Sequence, residues 1–208
     1  MNTSITNYSC FDPALLTKSC RVRRSKSPSR LAVCLCLALS LTTVTSAAEE
    51  ATESQVKAAY LYNFGKFVTW PASSVPNDSP REICVLGKDP FGAVLDSTVA
   101  GESMDGKKIA VRRLARAQEA AHCSILFVGL SEASRLGAIL PIVRQFGALT
   151  VSDIPHFAEH GGVIEFVTQQ NKIRFEVNWA AAQQSHLVLS SELLKVAVRV
   201  IDKPKGQP

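Results

Sequence analysis

The sequence contains no apolar run long enough to cross a bilayer as a helix. The longest, residues 31–41, has about 11 residues, whereas a membrane-spanning helix needs about 20. From Glu49 onward the chain has no excess of either charge sign. Six of the 23 basic and one of the 18 acidic side chains precede Glu49, which leaves 17 of each. That difference accounts for the whole net charge of +5. A balanced remainder without a basic stripe gives no electrostatic case for nucleic acid.

Motifs for catalysis, cofactors and metals are missing as well. Residues 87–92 join a predicted strand to a predicted helix without the G-x-G-x-x-G spacing of nucleotide-binding loops. His156 and His160 are four residues apart, but no third ligand lies near them, so a surface loop explains them better than a metal site. A hydrolase that uses Ser152, Asp153 and His156 would lack the nucleophile elbow. We therefore predict that the protein is not an enzyme and holds no cofactor or metal.

What is present begins with a predicted targeting segment over residues 1–48. A basic stretch from Arg21 to Arg30 precedes the apolar run 31–41, and small residues follow at 46–48. This order is that of a secretory signal peptide, so we predict cleavage after Ala48 and export to the periplasm. A permanent membrane anchor is the alternative, which the shortness of the run disfavours.

Only two cysteines, Cys84 and Cys123, lie beyond the predicted signal peptide. An even pair in an oxidising compartment predicts a disulfide. Closing a loop of about 40 residues would destabilise the unfolded chain by about 4 kcal/mol in the chain-entropy model. Two buried free thiols are the alternative.

The chain from residue 49 to 203 is predicted to form one α/β domain. Apolar periodicity predicts a first helix over residues 54–70, which Pro71 ends. Short apolar runs then predict four strands, at 83–87, 107–113, 124–129 and 148–152. Helix-like stretches separate these strands, at 90–97, 114–121 and 131–146. This alternation predicts a mixed, mostly parallel sheet with flanking helices.

The last third of the chain has a different pattern. Residues 162–168 and 172–178 flank a turn at 169–171 and predict a C-terminal antiparallel hairpin. Two helical pieces follow, at 179–185 and 191–200.

Three residues are candidates for binding roles. The first helix carries many aromatic side chains, of which Tyr60, Phe64 and Phe67 are expected to cover the sheet. Tyr62 and Trp70 are then the better candidates for a partner interface, since aromatic residues dominate binding hot spots. Asp153 follows the fourth predicted strand, where open α/β sheets bind ligands, although an aspartate before Ile154-Pro155 also suits a turn.

Several segments of the sequence resemble the YfiR family of periplasmic proteins. The resemblance starts with the aromatic segment 60–71, continues through 83–91 and 123–128, and extends through 149–153, 161–164, 171–178 and 187–197. It covers residues 54 to 200, and its motifs consist mostly of core and turn residues.

The resemblance implies a regulator that represses an inner-membrane diguanylate cyclase by binding its periplasmic sensor region, lowering cyclic di-GMP and biofilm formation. It also implies a homodimer and a disulfide at Cys84 and Cys123. A second family disulfide has no counterpart, because residues 154–167 contain no cysteine. A periplasmic small-ligand-binding protein is the alternative function, although a solute-binding protein normally has two lobes and a longer chain.

Overall fold

The computed structural model describes residues 51–71 and 79–201, in which strands alternate with helices. In chain order the elements are α1 (Glu53–Phe64), β1 (Val68–Thr69), β2 (Arg81–Leu86), α2 (Ala93–Val99), β3 (Ser103–Met104), β4 (Lys107–Leu114), a 3-10 helix (Ala117–His122), β5 (Cys123–Val128), a second 3-10 helix (Leu130–Arg135), α3 (Leu136–Arg144), β6 (Leu149–Ser152), β7 (Ile164–Gln169), β8 (Lys172–Asn178), α4 (Trp179–Gln184), β9 (Val188–Leu189), α5 (Ser191–Val196) and β10 (Arg199–Ile201). The predicted signal peptide and its cleavage point lie outside the described residues.

Eight strands form one sheet in the order β10-β8-β7-β6-β5-β2-β4-β3. The five strands β4, β2, β5, β6 and β7 run parallel to one another, whereas β7 and β8 form an antiparallel hairpin and β3 is antiparallel to β4. The hairpin turn places Gln170 and Asn171 at positive φ, as two-residue hairpin loops require. The predicted mixed, mostly parallel sheet with a C-terminal hairpin is therefore confirmed.

The two faces of the sheet are covered by different helices. Strand residues alternate between faces, so Ile83 and Val85 of β2 pack in the cluster that contains α1, α2, α4 and α5. Cys84 and Leu86 pack in the other cluster, which contains α3. The sheet therefore has a core on each side, as a doubly covered parallel sheet requires. None of the described helices is long and apolar enough to cross a membrane.

The first helix ends earlier than predicted. It begins with a capping box at Thr52 and stops at Phe64, where the N–H of Gly65 bonds to Tyr62 O and Asn63 O. The apolar spacing that predicted a helix to residue 70 instead belongs to a turn and to β1. β1 pairs with β9 in a separate two-stranded ribbon, which no periodicity in the sequence indicated.

Other differences also occur in short elements. The predicted helix 131–146 is a 3-10 turn followed by α3, and the predicted helix 114–121 is a 3-10 helix at Ala117–His122. The predicted helix 191–200 stops at Val196, and the chain continues as β10, which pairs in parallel with β8. Strands of two or three residues are too short to show an alternation of apolar and polar residues in the sequence.

Cys84 and Cys123 are bonded to each other, and their Cα atoms lie 5.9 Å apart. The bond joins β2 to its neighbour β5, and the predicted disulfide is confirmed. Glu82 lies near both sulfurs, and this is the one cluster of three metal-ligand side chains among the described residues. Because the two sulfurs are bonded to each other, we assign this cluster to the disulfide and its surroundings rather than to a metal site.

Candidate functional site

The carboxyl ends of the central strands form a crevice where the order of the strands reverses. β4 lies on one side of β2, and the next long strand, β5, lies on the other. The loops after β2 and β5 diverge there, and open α/β sheets bind ligands at such points. Asp153 follows β6, the neighbour of β5, and lines this crevice together with Lys88, Leu130 and Ser131.

Lys57 of α1 reaches the same end of the sheet. Its ammonium lies 2.7 Å from Asp153 Oδ2 and 2.5 Å from Glu53 Oε1, one helical turn earlier. Lys57 is only 7% exposed, because it shares the buried face of α1 with Leu61 and Phe64. A charge so buried needs partners of opposite charge, which the two carboxylates provide.

Two opposing effects set the pKa of Lys57. Burial lowers the pKa, but the hydrogen bonds to Asp153 and Glu53 raise it by more, so it lies above its ordinary value. Lys57 is therefore charged at neutral pH. Its role at the site is that of a cation, which excludes it as a neutral amine base.

A cleft of 380 Å³ opens beside this ion pair. One wall is the β7–β8 hairpin, which extends beyond β6 because Ser152, the last residue of β6, pairs with Glu165 near the start of β7. The opposite wall is the first turn of α1, and Leu130 lies at the rim with 62% of its surface exposed. The cleft is therefore lined by both apolar and charged side chains.

One atom in this cleft is unsatisfied. Asp153 Oδ1 is buried and has no hydrogen-bond donor among the described residues, although Oδ2 of the same carboxylate accepts from Lys57. Leaving a buried acceptor without a donor costs about 1–3 kcal/mol. The carboxylate of Asp153 is therefore held by Lys57 through Oδ2, while Oδ1 is enclosed by protein atoms and is not exposed to the cleft.

The loop after β2 is closed by hydrogen bonds to side chains of neighbouring elements. The N–H of Lys88 donates to Ser131 Oγ at 2.9 Å, and Arg113 donates to Asp89 Oδ2 at 3.0 Å. Gly87 has a φ of +83°, and a Cβ there would lie 2.4 Å from Ser131 Oγ, so only glycine fits. Because the Lys88 N–H is already bonded, it is not free to bind a phosphate.

The hydrolase set considered from the sequence is not assembled. Ser152 is fully buried and donates to Val128 O at 2.7 Å. The ring of His156 lies against Glu159, at 3.1 Å, and its backbone N–H donates to Glu165. These bonds shape the chain between β6 and β7. They do not join Ser152 to His156.

The amino-terminal end of the strands carries the β1/β9 ribbon. Trp70 follows β1, and its Nε1 donates to Ser124 O of β5 at 2.9 Å. The Arg81 guanidinium lies 4.9 Å from the centroid of the Trp70 rings. Trp70 is 6% exposed, so it anchors the ribbon to the sheet.

The outer face of this ribbon exposes apolar side chains. Phe67 and Val188 are 38% and 61% exposed. Thr69 is the register partner of Val188 and lies two residues beyond Phe67, so these three side chains share a side of the ribbon. We call Phe67, Thr69 and Val188 the ribbon face. The expectation that Phe67 covers the sheet is wrong, because α1 has ended three residues earlier.

The two predicted interface residues differ in exposure. Tyr62 is half-buried, and its hydroxyl donates to Glu102 Oε2 at 2.5 Å while the Lys66 ammonium lies 4.2 Å from its ring centroid. Trp70 is buried beneath the ribbon, so it supports the surface rather than forming it. An interface role for either residue stays a prediction.

Sequence reasoning identified Asp153 but missed Lys57. The contact between them joins residues 96 positions apart, which no local pattern reveals. One signal was available, since Lys57 occupies the apolar face of a helix, where a lysine requires a charged partner.

A family model described as YfiR/HmsC-like matches residues 54–198. The chain belongs to the YfiR/HmsC-like family. The resemblance predicted from the sequence is thereby confirmed over nearly the same residues. No curated protein matches the chain in sequence.

Two solved structures are similar in fold to this YfiR/HmsC-like chain. One is described as a conserved domain protein from Vibrio cholerae O1 biovar El Tor, with 12% identity, a TM-score of 0.49, and coverage of 72% of this chain and 60% of that one. The other is an ABC domain in complex with L-Trp from Streptococcus pneumonia, with 15% identity, a TM-score of 0.48, and coverage of 69% and 60%. The alignment thus spans less than two thirds of either longer chain. At this similarity neither structure supports an inference about function.

Proposed function

We propose that this protein is a periplasmic regulator that represses an inner-membrane diguanylate cyclase, lowering cyclic di-GMP and biofilm formation. The observation that carries the proposal is the YfiR/HmsC-like match over residues 54–198. The family is regulatory rather than catalytic. Ser152 donates to Val128 O and the ring of His156 contacts Glu159, so the two side chains do not pair with each other. This arrangement fits that assignment.

The proposed docking surface is the ribbon face together with Tyr62. It presents Phe67 and Val188 to solvent on a ribbon that Trp70 anchors to β5. Exposed aromatic and aliphatic side chains on a firm support favour tight contacts, because little conformational entropy is lost on binding. The proposed partner is the periplasmic sensor region of the cyclase, and the predicted homodimer would bring two such surfaces to the complex.

Repression requires that binding favour the inactive state of the cyclase. A ligand shifts a two-state equilibrium only by its difference in affinity for the two states. Moving the cyclase from 1:99 to 99:1 in favour of the inactive state takes about 5.5 kcal/mol of such difference. Two buried aromatic or aliphatic anchors at an interface can supply that amount.

Deletion of the gene tests the proposal. Cellular cyclic di-GMP and biofilm should rise in the deletion strain and return to baseline when the candidate cyclase is deleted as well. Unchanged cyclic di-GMP in the single deletion, with both proteins expressed, would contradict the regulatory function.

A complementation test separates the docking surface from the rest of the protein. The double variant Phe67→Glu, Val188→Glu should be exported in normal amount and fail to restore repression, because carboxylates on the ribbon face oppose burial. The double variant Ala133→Glu, Ala138→Glu is the matched control, since both side chains are exposed and lie on the helices that cover the other face of the sheet. Full repression by the ribbon variant would exclude the ribbon face as the docking surface.

A further inference from the structure

A second cleft, of 590 Å³, lies between the first half of α1 and the part of β8 nearest the hairpin turn. β10 pairs with β8 only at residues 176–178, so residues 172–174 pair with β7 on one side and with no described strand on the other. We call residues 172–174 the open edge. A strand edge that lies open beside a helix is an arrangement in which proteins bind extended peptides by adding them to the sheet.

The backbone of the open edge can bond to an added strand. Because the hairpin turn has two residues, Lys172 exchanges hydrogen bonds with β7, and the next residue, Ile173, points its N–H and C=O to the other side. The Tyr60 hydroxyl agrees with this direction, since it donates to Ile173 O at 3.4 Å from α1. The N–H of Ile173 therefore faces the position that a further strand would fill.

The two faces of the open edge differ in character. The side chain of Ile173 packs against the core below α1 and lines the cleft together with Val56 and Tyr60. Lys172 and Arg174 belong to the opposite face of the strand, because successive strand residues alternate. Both are exposed. A strand added here would therefore have one apolar neighbour face and one cationic neighbour face.

The two cations of the open edge are unpaired. Arg112, Arg113 and Arg199 all form ion pairs with carboxylates. Lys172 and Arg174 have no ion-pair or hydrogen-bond partner for their side chains in the described part of the chain. Like charges opposed across strands are destabilising, whereas opposite charges stabilise the pairing. The open edge therefore disfavours a second copy of itself and favours carboxylates spaced two residues apart.

We propose that the open edge binds an extended acidic segment of a partner protein as an added strand, in which carboxylates alternate with apolar residues. The carboxylates pair with Lys172 and Arg174, and a backbone C=O of the segment accepts from the N–H of Ile173. The apolar side chains pack on Val56 and Tyr60, where a hollow of 340 Å³ adjoins the cleft along α1. The site shares no residue with the ribbon face. It goes beyond the regulatory function, and its failure would leave that function untouched because binding is measured without the cyclase.

A fluorescent six-residue peptide in which glutamate and valine alternate is the probe, and anisotropy with the purified exported protein is the measurement. We expect saturable binding. A peptide with lysine in place of glutamate, and one with the three glutamates and three valines in separate blocks, should bind at least about tenfold more weakly. A version that is N-methylated at every amide should also lose about tenfold or more, because it cannot donate backbone hydrogen bonds.

Charge reversal tests the two cations. The double variant Lys172→Glu, Arg174→Glu should fold, because both side chains are exposed, and it should bind the lysine peptide in preference to the glutamate peptide. Lys108→Glu, Arg116→Glu is the matched control with the same change in net charge. Lys108 lies on β4 at the opposite edge of the sheet and Arg116 follows that strand, so the control should bind the glutamate peptide as the wild type does.

Hydrogen exchange reads the backbone contact directly, since the Ile173 amide should exchange more slowly in the complex. Equal binding of the N-methylated peptide, unchanged exchange at Ile173, or no saturable binding up to about 10 mM would overturn the proposal. So would wild-type affinity for the glutamate peptide in the charge-reversed variant. If sedimentation shows that the wild-type protein self-associates and the charge-reversed variant does not, a second copy occupies the edge and the proposal is wrong.

Discussion

The two ends of the parallel strands are stabilised by different kinds of contact. The amino-terminal end is closed by a disulfide at Cys123 and by Trp70, whose indole bonds to Ser124 O. The carboxyl-terminal end is closed by charges, with the Lys57 ammonium between two carboxylates and Asp153 Oδ1 left without a donor. One end is held by covalent and apolar contacts and the other by polar groups.

The two ends therefore differ in how firmly they are held. A ribbon that rests on a buried indole changes little on docking, which suits a protein that must favour one state of its partner. The ion pairs at the carboxyl-terminal end are partly exposed, so each should contribute less to stability than the buried contacts at the other end. Variants at each end should therefore have different consequences, the largest at the amino-terminal end.

Trp70→Ala should have the largest effect on stability. It removes a buried indole and its hydrogen bond to Ser124 O, at a cost of about 3–5 kcal/mol in the free energy of unfolding. Urea unfolding measures the change. Phe67→Ala is the control, because that ring is 38% exposed, and it should cost about 1 kcal/mol or less. Equal losses for the two variants would show that Trp70 does not anchor the ribbon.

Removal of the disulfide should follow in magnitude. The bond closes a loop with a sequence separation of 39, and the variant Cys84→Ala, Cys123→Ala should lose about 2–4 kcal/mol of unfolding free energy. Reduction of the wild-type protein should have a similar effect. Thiol alkylation of the unreduced exported protein checks the starting state, since two reactive thiols there would contradict the bond.

Lys57→Met should have a smaller effect that depends on pH. Because Asp153 and Glu53 are 24% and 65% exposed, the loss at neutral pH should be about 1–2 kcal/mol, less than for a fully buried pair. The pKa of Lys57 is raised in the folded state, so its contribution is present below the ordinary lysine pKa and is lost as pH rises through the folded value. The gap between wild type and variant should therefore narrow as the pH rises above the ordinary lysine pKa. A gap that stays constant would mean that the ammonium charge is not responsible.

Asp96→Asn should have the smallest effect. The hydrogen bond from Arg113 lowers the pKa of Asp96, and the carboxylate side chain is 50% exposed. A lowered pKa stabilises the fold above the ordinary aspartate value, and this contribution is lost as pH falls through the folded value. We expect a loss of about 0.5 kcal/mol at neutral pH that shrinks as the pH falls below the ordinary aspartate pKa, measured by urea unfolding. A larger loss at pH 2 than at pH 7 would contradict this assignment.

The long strands could be predicted from the sequence because burial on both faces leaves continuous apolar runs. Residues 83–87 and 124–129 fall on β2 and β5, and the hairpin falls on β7 and β8. The first helix was extended past Phe64 because Phe67 and Trp70 continue its apolar spacing, although the ribbon rather than a helix uses them.

The candidate sites were only partly predictable, because the sequence shows local features and not contacts between distant residues. Asp153 was found by its position after a strand, which is a local property of the sequence. The pairing of Lys57 with Asp153 is a contact between residues 96 positions apart. The exposure of Phe67 depends on how β1 pairs with β9. Such pairings are decided by tertiary packing, so only a structure reveals them.

Charged side chains on the edges of the main sheet limit how copies of this protein can associate. The two-residue strand β3 pairs only with Lys107 and Lys108 of β4, so residues 109–114 pair with a strand on one side only, and this stretch carries Arg112 and Arg113. At the other edge, Arg199 on β10 is paired with Glu176 at 2.5 Å. Charged side chains on an edge discourage another strand from adding. Fibre growth by strand addition is therefore disfavoured in the folded state. Self-assembly must proceed through side-chain surfaces, which mutation can alter without disturbing the sheet.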